Sequence, residues 1–249
     1  MDQMPSNEPV MDSKPGIAGW FQVWKKAVTK PNELTFIEIT DGPEATSKTA
    51  FIWVFIAGTV SGILQAILQA IYAATGGMPQ IPVIPGLEQY MQNLPSGGTG
   101  SVGSALLAIC CSPIAGLLSV LFFALFTAIV QWIAKMFGGT GTFDKLAYAF
   151  ASISVPFSLV FGVLALFTAI PYVGACFGII SFGLSIYSIV LQVMAVKGVN
   201  RFGYGPAIGS LFIPGLVLFI FCCCLAAGAA ALLGPMISQS FNDLQQFAP

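Results

Sequence analysis

The 249-residue chain contains no histidine and very little charge. Lysine and arginine number 9, aspartate and glutamate 10, and together they make up 8% of the chain. A soluble domain carries roughly 25%. That shortage leaves too few polar side chains to cover a water-soluble globule, and 56% hydrophobic residues exclude a disordered chain. The near-zero charge balance excludes a basic nucleic-acid binder. The missing histidine removes the commonest general base and metal ligand. Cys-x-x-Cys spacing is absent, as are Gly-x-Ser-x-Gly and any acid pair in a plausible cleft. No catalytic residue, cofactor site or metal site is therefore nominated. A basic start followed by an apolar run is missing too, so no cleaved signal peptide is expected.

What is present is long apolar sequence. Charge is absent from Thr49 to Leu87, from Gln89 to Ala134, from Leu146 to Val196 and from Phe202 to Asn242. A span of the bilayer needs about 20 mostly apolar residues. The third block holds two such lengths, separated at Ile170–Pro171. The reading is five spans, at about 50–73, 104–131, 147–170, 172–196 and 207–233. They are helices, because lipid offers no partner for an open strand edge, and long apolar runs do not fit a barrel. The expected fold is an all-α polytopic integral membrane bundle with five transmembrane helices. Thr142 caps the third span, with Asp144 in its first turn; Pro171 and Pro206 stand at helix starts. The second span has an alternative start at Ser112–Pro113, which would make 103–111 an interfacial lead-in.

Lys14, Lys25, Lys26, Lys30 and Lys48 precede the first span; Lys135 and Lys145 lie between the second and third, Lys197 and Arg201 between the fourth and fifth. One side therefore receives every basic residue. The positive-inside rule makes the N-terminus cytoplasmic and the C-terminus non-cytoplasmic. Four regions follow: a disordered tail at 1–16, a cytoplasmic juxtamembrane segment at 17–48, the membrane domain at 49–233 and a non-cytoplasmic tail at 234–249. Within the second, 20–30 reads as an amphipathic helix, with Trp20, Phe21, Val23, Trp24, Ala27 and Val28 on one face and Lys25 and Lys26 behind. That division suits the headgroup layer; the other reading is packing on the loops of its own bundle. The tail places Ile237, Phe241, Leu244 and Ala248 on one helical face.

Candidate functional residues fall into three groups. Trp20, Trp24, Lys25, Lys26, Lys135, Lys145, Lys197 and Arg201 form a cytoplasmic surface for anionic lipid headgroups or a protein partner, unless the cations only set topology. Gly58, Gly62, Ala66 and Ala70, continued at Ala74, form a small-residue ridge for helix packing, inside the bundle or between copies in a homo-oligomer. Gln65, Gln69 and Gln192 are the polar intramembrane contacts, and a small-solute channel or transporter would be lined by them. No ionisable residue lies in the middle of a span, against the needs of proton-coupled pumps and many ion carriers. Cys110, Cys111, Cys176, Cys222, Cys223 and Cys224 would serve a metal or redox site, the least favoured reading, since buried cysteine usually acts as a small hydrophobe.

The run from Lys135 to Phe143 (KMFGGTGTF), with Leu146, Tyr148, Pro156 and Phe157 in the next span, resembles the Yip1 family. So do Val193 to Val199 (VMAVKGV) and Gly203 to Ala207 (GYGPA), and upstream Trp24, Pro31 and Phe36. The resemblance implies a five-span domain with a cytoplasmic N-terminus, and a protein that organises membrane or membrane-protein partners without catalysis. Eukaryotic members are similar in topology and act in ER–Golgi trafficking with Rab GTPases. Their Asp-Leu-Tyr-Gly-Pro motif is absent here, with Asp41-Gly42-Pro43 at best a remnant, so Rab binding is not carried over. The compact loops are similar to prokaryotic members and imply a plasma-membrane location, or ER/Golgi in a eukaryote.

Overall fold

The computed structural model describes residues 17–75, 102–168, 170, 173–217, 220 and 223–224. Among these every regular element is a helix: α1 (Ile17–Thr29), α2 (Glu33–Asp41), α3 (Ser47–Thr75), α4 (Val102–Met136), α5 (Phe143–Phe167), α6 (Val173–Asn200) and α7 (Tyr204–Val217). The expected tails at 1–16 and 234–249 lie outside the described residues.

Four of the helices are long and apolar enough to cross a membrane, over Ser47–Tyr72, Leu107–Met136, Phe143–Phe167 and Cys176–Asn200. The shortest of these is 25 residues, which at 1.5 Å per residue exceeds a hydrocarbon core of about 30 Å. They match the first four expected spans. The fifth begins where α7 does, but most of 218–233 lies outside the described residues.

Local signals explain the ends. The Thr142 hydroxyl accepts from the Lys145 N–H at 3.4 Å, with Asp144 in the first turn of α5. Helix α4 corrects the alternative start at Ser112–Pro113: it runs unbroken through Pro113. Proline cannot donate to the carbonyl four residues earlier. The Ser112 hydroxyl donates to that Ile109 carbonyl instead, at 2.8 Å.

Helix α3 is the centre of the bundle and packs along both α4 and α5. Its small-residue ridge faces inward on α4. A Cβ at Gly58 would sit 2.8 Å from Ser119 Oγ, and one at Gly116 would sit 2.4 Å from Thr59 Oγ1 and 3.0 Å from the Phe55 carbonyl. The two backbones cross where neither carries a side chain. Opposite that seam, α4 presents Leu117, Leu121, Phe122 and Leu125, all exposed and suited to acyl chains.

Helix α2 has no counterpart in the sequence reading. Asn32 caps it, accepting from the Leu34 N–H at 3.4 Å, and Phe36 and Ile39 are buried. Together α1 and α2 pack against α5 and α6. Trp20 and Trp24 meet Trp53 of α3 edge-on, with centroids 5.9 and 5.5 Å away, and Trp53 lies 4.9 Å from the Tyr148 ring. The Tyr187 hydroxyl of α6 donates to the Val28 carbonyl at 2.6 Å. Tyr187 precedes Lys197 by roughly 15 Å of helix, so the end of α1 is fastened well along the side of the bundle.

Candidate functional site

The lysine- and arginine-bearing ends of α3, α4, α5 and α6 lie at one end of the bundle, and the nine-residue α2 packs there on α5 and α6 and against α1. Its three acids each take a lysine from a different helix. Glu38 pairs with Lys26 of α1, Asp41 with Lys145 of α5 at 2.5 Å, and Glu33 with Lys197 of α6 at 2.6 Å. Lys197 Nζ also stands 3.9 Å over the Tyr204 ring of α7. These pairs are partly exposed, so each adds little stability. Their larger consequence is to remove three cations from the free surface and fix α2 in register.

The Lys145 hydrogen bond, then the Lys145 and Arg201 charges, hold Asp41 below its ordinary 3.8 despite some desolvation. A carboxylate held low contributes stability above its unfolded value and loses it as pH falls through its folded value. The melting-temperature gap between wild type and Asp41→Asn is therefore expected to close as pH drops below about 4. A gap constant from neutral to acid pH would show that the pair adds nothing.

A second arrangement ties the glycine-rich turn after α4 to the end of α6. Gln131 Nε2 donates to the Gly141 carbonyl at 2.7 Å and to Asn200 Oδ1 at 3.0 Å, and Asn200 Nδ2 donates to the Val196 carbonyl at 3.1 Å. The Thr140 N–H donates to the Asn200 carbonyl at 3.2 Å. Gly138 has φ +85°, open to glycine at no steric cost. A Cβ at Gly139 or Gly141 would stand 2.7 Å from Asn200 Oδ1. The turn is shaped by what it must lie against.

The eight residues expected on the basic surface thus separate. Trp20 and Trp24 are half-buried against the core. Lys26, Lys145 and Lys197 are paired with α2. Lys25, Lys135 and Arg201 are exposed and have no carboxylate within ion-pair distance among the described residues. Exposed apolar side chains flank them: Phe21 beside Lys25, and Trp132, Met136 and Phe137 around Lys135. Arg201 adopts φ 54° just beyond α6, a left-handed helix terminus.

The ridge residues Gly58, Gly62 and Ala66 are taken up inside the bundle, while Ala70 is half-buried. The glutamines do not converge. Gln65 lines a cavity between α3, α4 and α5, Gln69 is exposed, and Gln192 bonds Ser188 of its own helix at 3.3 Å. Cys110, Cys111, Cys176, Cys223 and Cys224 are free and exposed, and Cys222 lies outside the described residues. No metal-holding cluster of His, Cys, Asp or Glu occurs among the described residues.

Sequence reasoning missed Glu33, Glu38, Asp41, Gln131 and Asn200. A signal existed for the acids: three of the chain's 10 fall within nine consecutive residues. Gln131 and Asn200 each stand a few residues from a span-ending lysine, which marks depth but names no partner.

Comparison with known proteins adds the remaining finding. Neither curated proteins nor solved structures gave a match. The family model for the Yip1 domain matches residues 25–226, from the middle of α1 past the described part of α7. The match takes in the docked glycine turn, the α2 strap and all four described spans, and this multi-pass membrane protein belongs to the Yip1 family.

Proposed function

We propose that the protein is a non-enzymatic organiser of membrane, working through a cytoplasmic face that gathers anionic lipid headgroups in a prokaryotic plasma membrane. The observation that carries this is the division of the basic residues. Lys26, Lys145 and Lys197 are neutralised by α2, whereas Lys25, Lys30, Lys48, Lys135 and Arg201 stay exposed with no ion pair among the described residues, Phe21 standing by Lys25 and Trp132 and Met136 by Lys135. If topology alone required the charges, the chain would have no need to hold aromatic and apolar side chains beside the unpaired ones. Cation beside aromatic is the pattern that anchors in the headgroup layer. Each such cation contributes about 1 kcal/mol near an anionic surface. Three give roughly a hundredfold enrichment, short of a permanently bound lipid.

The test is native mass spectrometry of the full chain released from nanodiscs of mixed phosphatidylglycerol and phosphatidylcholine. Wild type is expected to retain phosphatidylglycerol preferentially, and Lys25→Gln/Lys135→Gln/Arg201→Gln to lose most of that preference, about tenfold or more. Equal retention of both lipids, or a preference untouched by the triple substitution, would contradict the proposal. The solute-channel reading gains nothing from the geometry, because Gln65, Gln69 and Gln192 share no passage among the described residues.

A further inference from the structure

A cavity of about 450 Å³ lies between α3, α4 and α5, away from the basic end. Its polar lining is Ser61 and Gln65 from α3, Ser119 from α4, and Ser154 and Ser158 from α5. Ser61 and Ser158 stand roughly 20 Å along their helices from Lys48 and Lys145, and Ser119 roughly 24 Å from Lys135. Measured from the same charged end, all three lie beyond the middle of a hydrocarbon core about 30 Å thick, and still inside it. Four hydroxyls and an amide at that depth need a reason, because polar groups without partners are costly in lipid.

The hydroxyls are not equivalent. Ser119 donates to the Ala115 carbonyl at 2.8 Å and Ser158 to the Val155 carbonyl at 2.9 Å, so each keeps only lone pairs to offer. Ser61 makes no such bond; its hydroxyl is buried and has no partner among the described residues. Gln65 brings both a donor and an acceptor. The rest of the lining is apolar, with Val54, Phe123 and Val155 among it, and no charged side chain is present. That composition, mostly apolar with a few convergent polar groups, and that volume are those of a small-molecule site.

Charge and access narrow the ligand. A phosphate or ammonium at this depth would meet no counter-charge, and an unpaired charge there is expensive. Helices α4 and α5 meet toward the basic end, where Phe126 and Phe150 stack with centroids 6.1 Å apart, but otherwise share little contact, while α3 packs along both. The cavity therefore has α3 as its floor and faces the interval between α4 and α5. On its outer side α4 carries the exposed apolar residues Leu121, Phe122 and Leu125, which is the environment of an acyl chain.

We infer that this cavity binds an uncharged, hydroxyl-bearing lipid of the glyceride class, its hydroxyl and ester groups against Ser61, Gln65, Ser119 and Ser158 and its chains leaving between α4 and α5. Ser61 and Gln65 donate to the ester oxygens, and the lipid hydroxyl donates to one of the two acceptors, Ser119 or Ser158. The inference does not depend on the anionic-lipid proposal, which concerns the other end of the bundle.

The experiment uses the full chain in phosphatidylcholine nanodiscs containing a diacylglycerol with a photoactivatable group in one acyl chain. After irradiation, labelled peptides are mapped by mass spectrometry. Labelling is expected on α3, α4 and α5 around Ser61, Ser119 and Ser158. Excess unlabelled diacylglycerol should suppress it, while phosphatidic acid with the same chains and free glycerol should not. Ser61→Leu fills the cavity and should reduce labelling at least about fivefold. If that variant fails to fold, Ser61→Ala with Ser158→Ala keeps the shape and should reduce it about fivefold through lost hydrogen bonds. Labelling spread evenly over the lipid-facing side of α4, labelling indifferent to the serine substitutions, or suppression by phosphatidic acid or by glycerol as strong as by diacylglycerol would each overturn the inference.

Discussion

Replacing Trp53 with alanine is expected to destabilise the bundle by about 3–5 kcal/mol, the cost of truncating a large buried aromatic. Trp53 is 1% exposed, and three rings rest on it, those of Trp20, Trp24 and Tyr148. Each aromatic pair adds about 0.5–1.5 kcal/mol beyond the area buried. Two of those rings belong to α1, so the substitution should also release α1 from the bundle. The readouts are thermal unfolding in mild detergent and the rate of tryptic cleavage at Lys25 and Lys26. Trp53→Phe separates ring packing from hydrogen bonding. The Trp53 indole N–H is buried without a partner among the described residues, so phenylalanine loses ring area but no bond and should cost much less. Alanine and wild-type proteins of equal stability, with α1 equally protected, would show that the ring cluster does not hold α1.

Asn200→Ala is expected to cost about 1–3 kcal/mol and to loosen the turn between α4 and α5. Asn200 is 1% exposed and bonds both the Gln131 amide and the Val196 carbonyl. Without it, Gln131 Nε2 keeps only the Gly141 carbonyl, and the Gln131 Oε1 atom, already buried without a partner, remains so. Asn200→Asp should be worse than alanine. It buries a carboxylate at the carbonyl-rich end of α6, where the helix dipole disfavours negative charge. Amide hydrogen exchange over 137–142 should accelerate in both variants while exchange within α3 stays unchanged. Unaltered exchange in the turn would mean that the main-chain bonds around Thr140 suffice to dock it.

The membrane helices were legible because lipid imposes a simple rule: a long charge-free run must be a helix, and its ends must be charged or capped. Thr142, Asp144 and the break between the helix ending at Phe167 and the one starting at Val173 behave as that rule requires. The candidate surface was legible only as a set of lysines. Asp41 and Lys145 lie 104 positions apart, and Gln131 and Asn200 lie 69 apart, so neither pair leaves a local pattern. The tryptophans of α1 show the same limit. Periodicity fixes that Trp20 and Trp24 share an apolar face, but a headgroup layer and a buried Trp53 ask for the same residues there. Helix α2 was missed because its β-branched run, Thr35 with Ile37, Ile39 and Thr40, has weak helix propensity. Its stability comes from the Asn32 cap, from burial of Phe36 and from three ion pairs to other helices. The Gly58–Gly62 spacing likewise announced a close approach without naming α4 as the neighbour.

The role proposed for Lys25, Lys135 and Arg201 requires that the basic end of the bundle face the cytoplasm. Single-cysteine labelling tests this most directly. In a chain with the native cysteines replaced, Glu88→Cys and Thr140→Cys are each treated on intact cells with a membrane-impermeant maleimide, then again after permeabilisation. Position 88 is expected to react from outside, and position 140, in the turn beside Asn200, only once the membrane is opened. Reaction of position 140 in intact cells would place the basic face outside and contradict the proposed function.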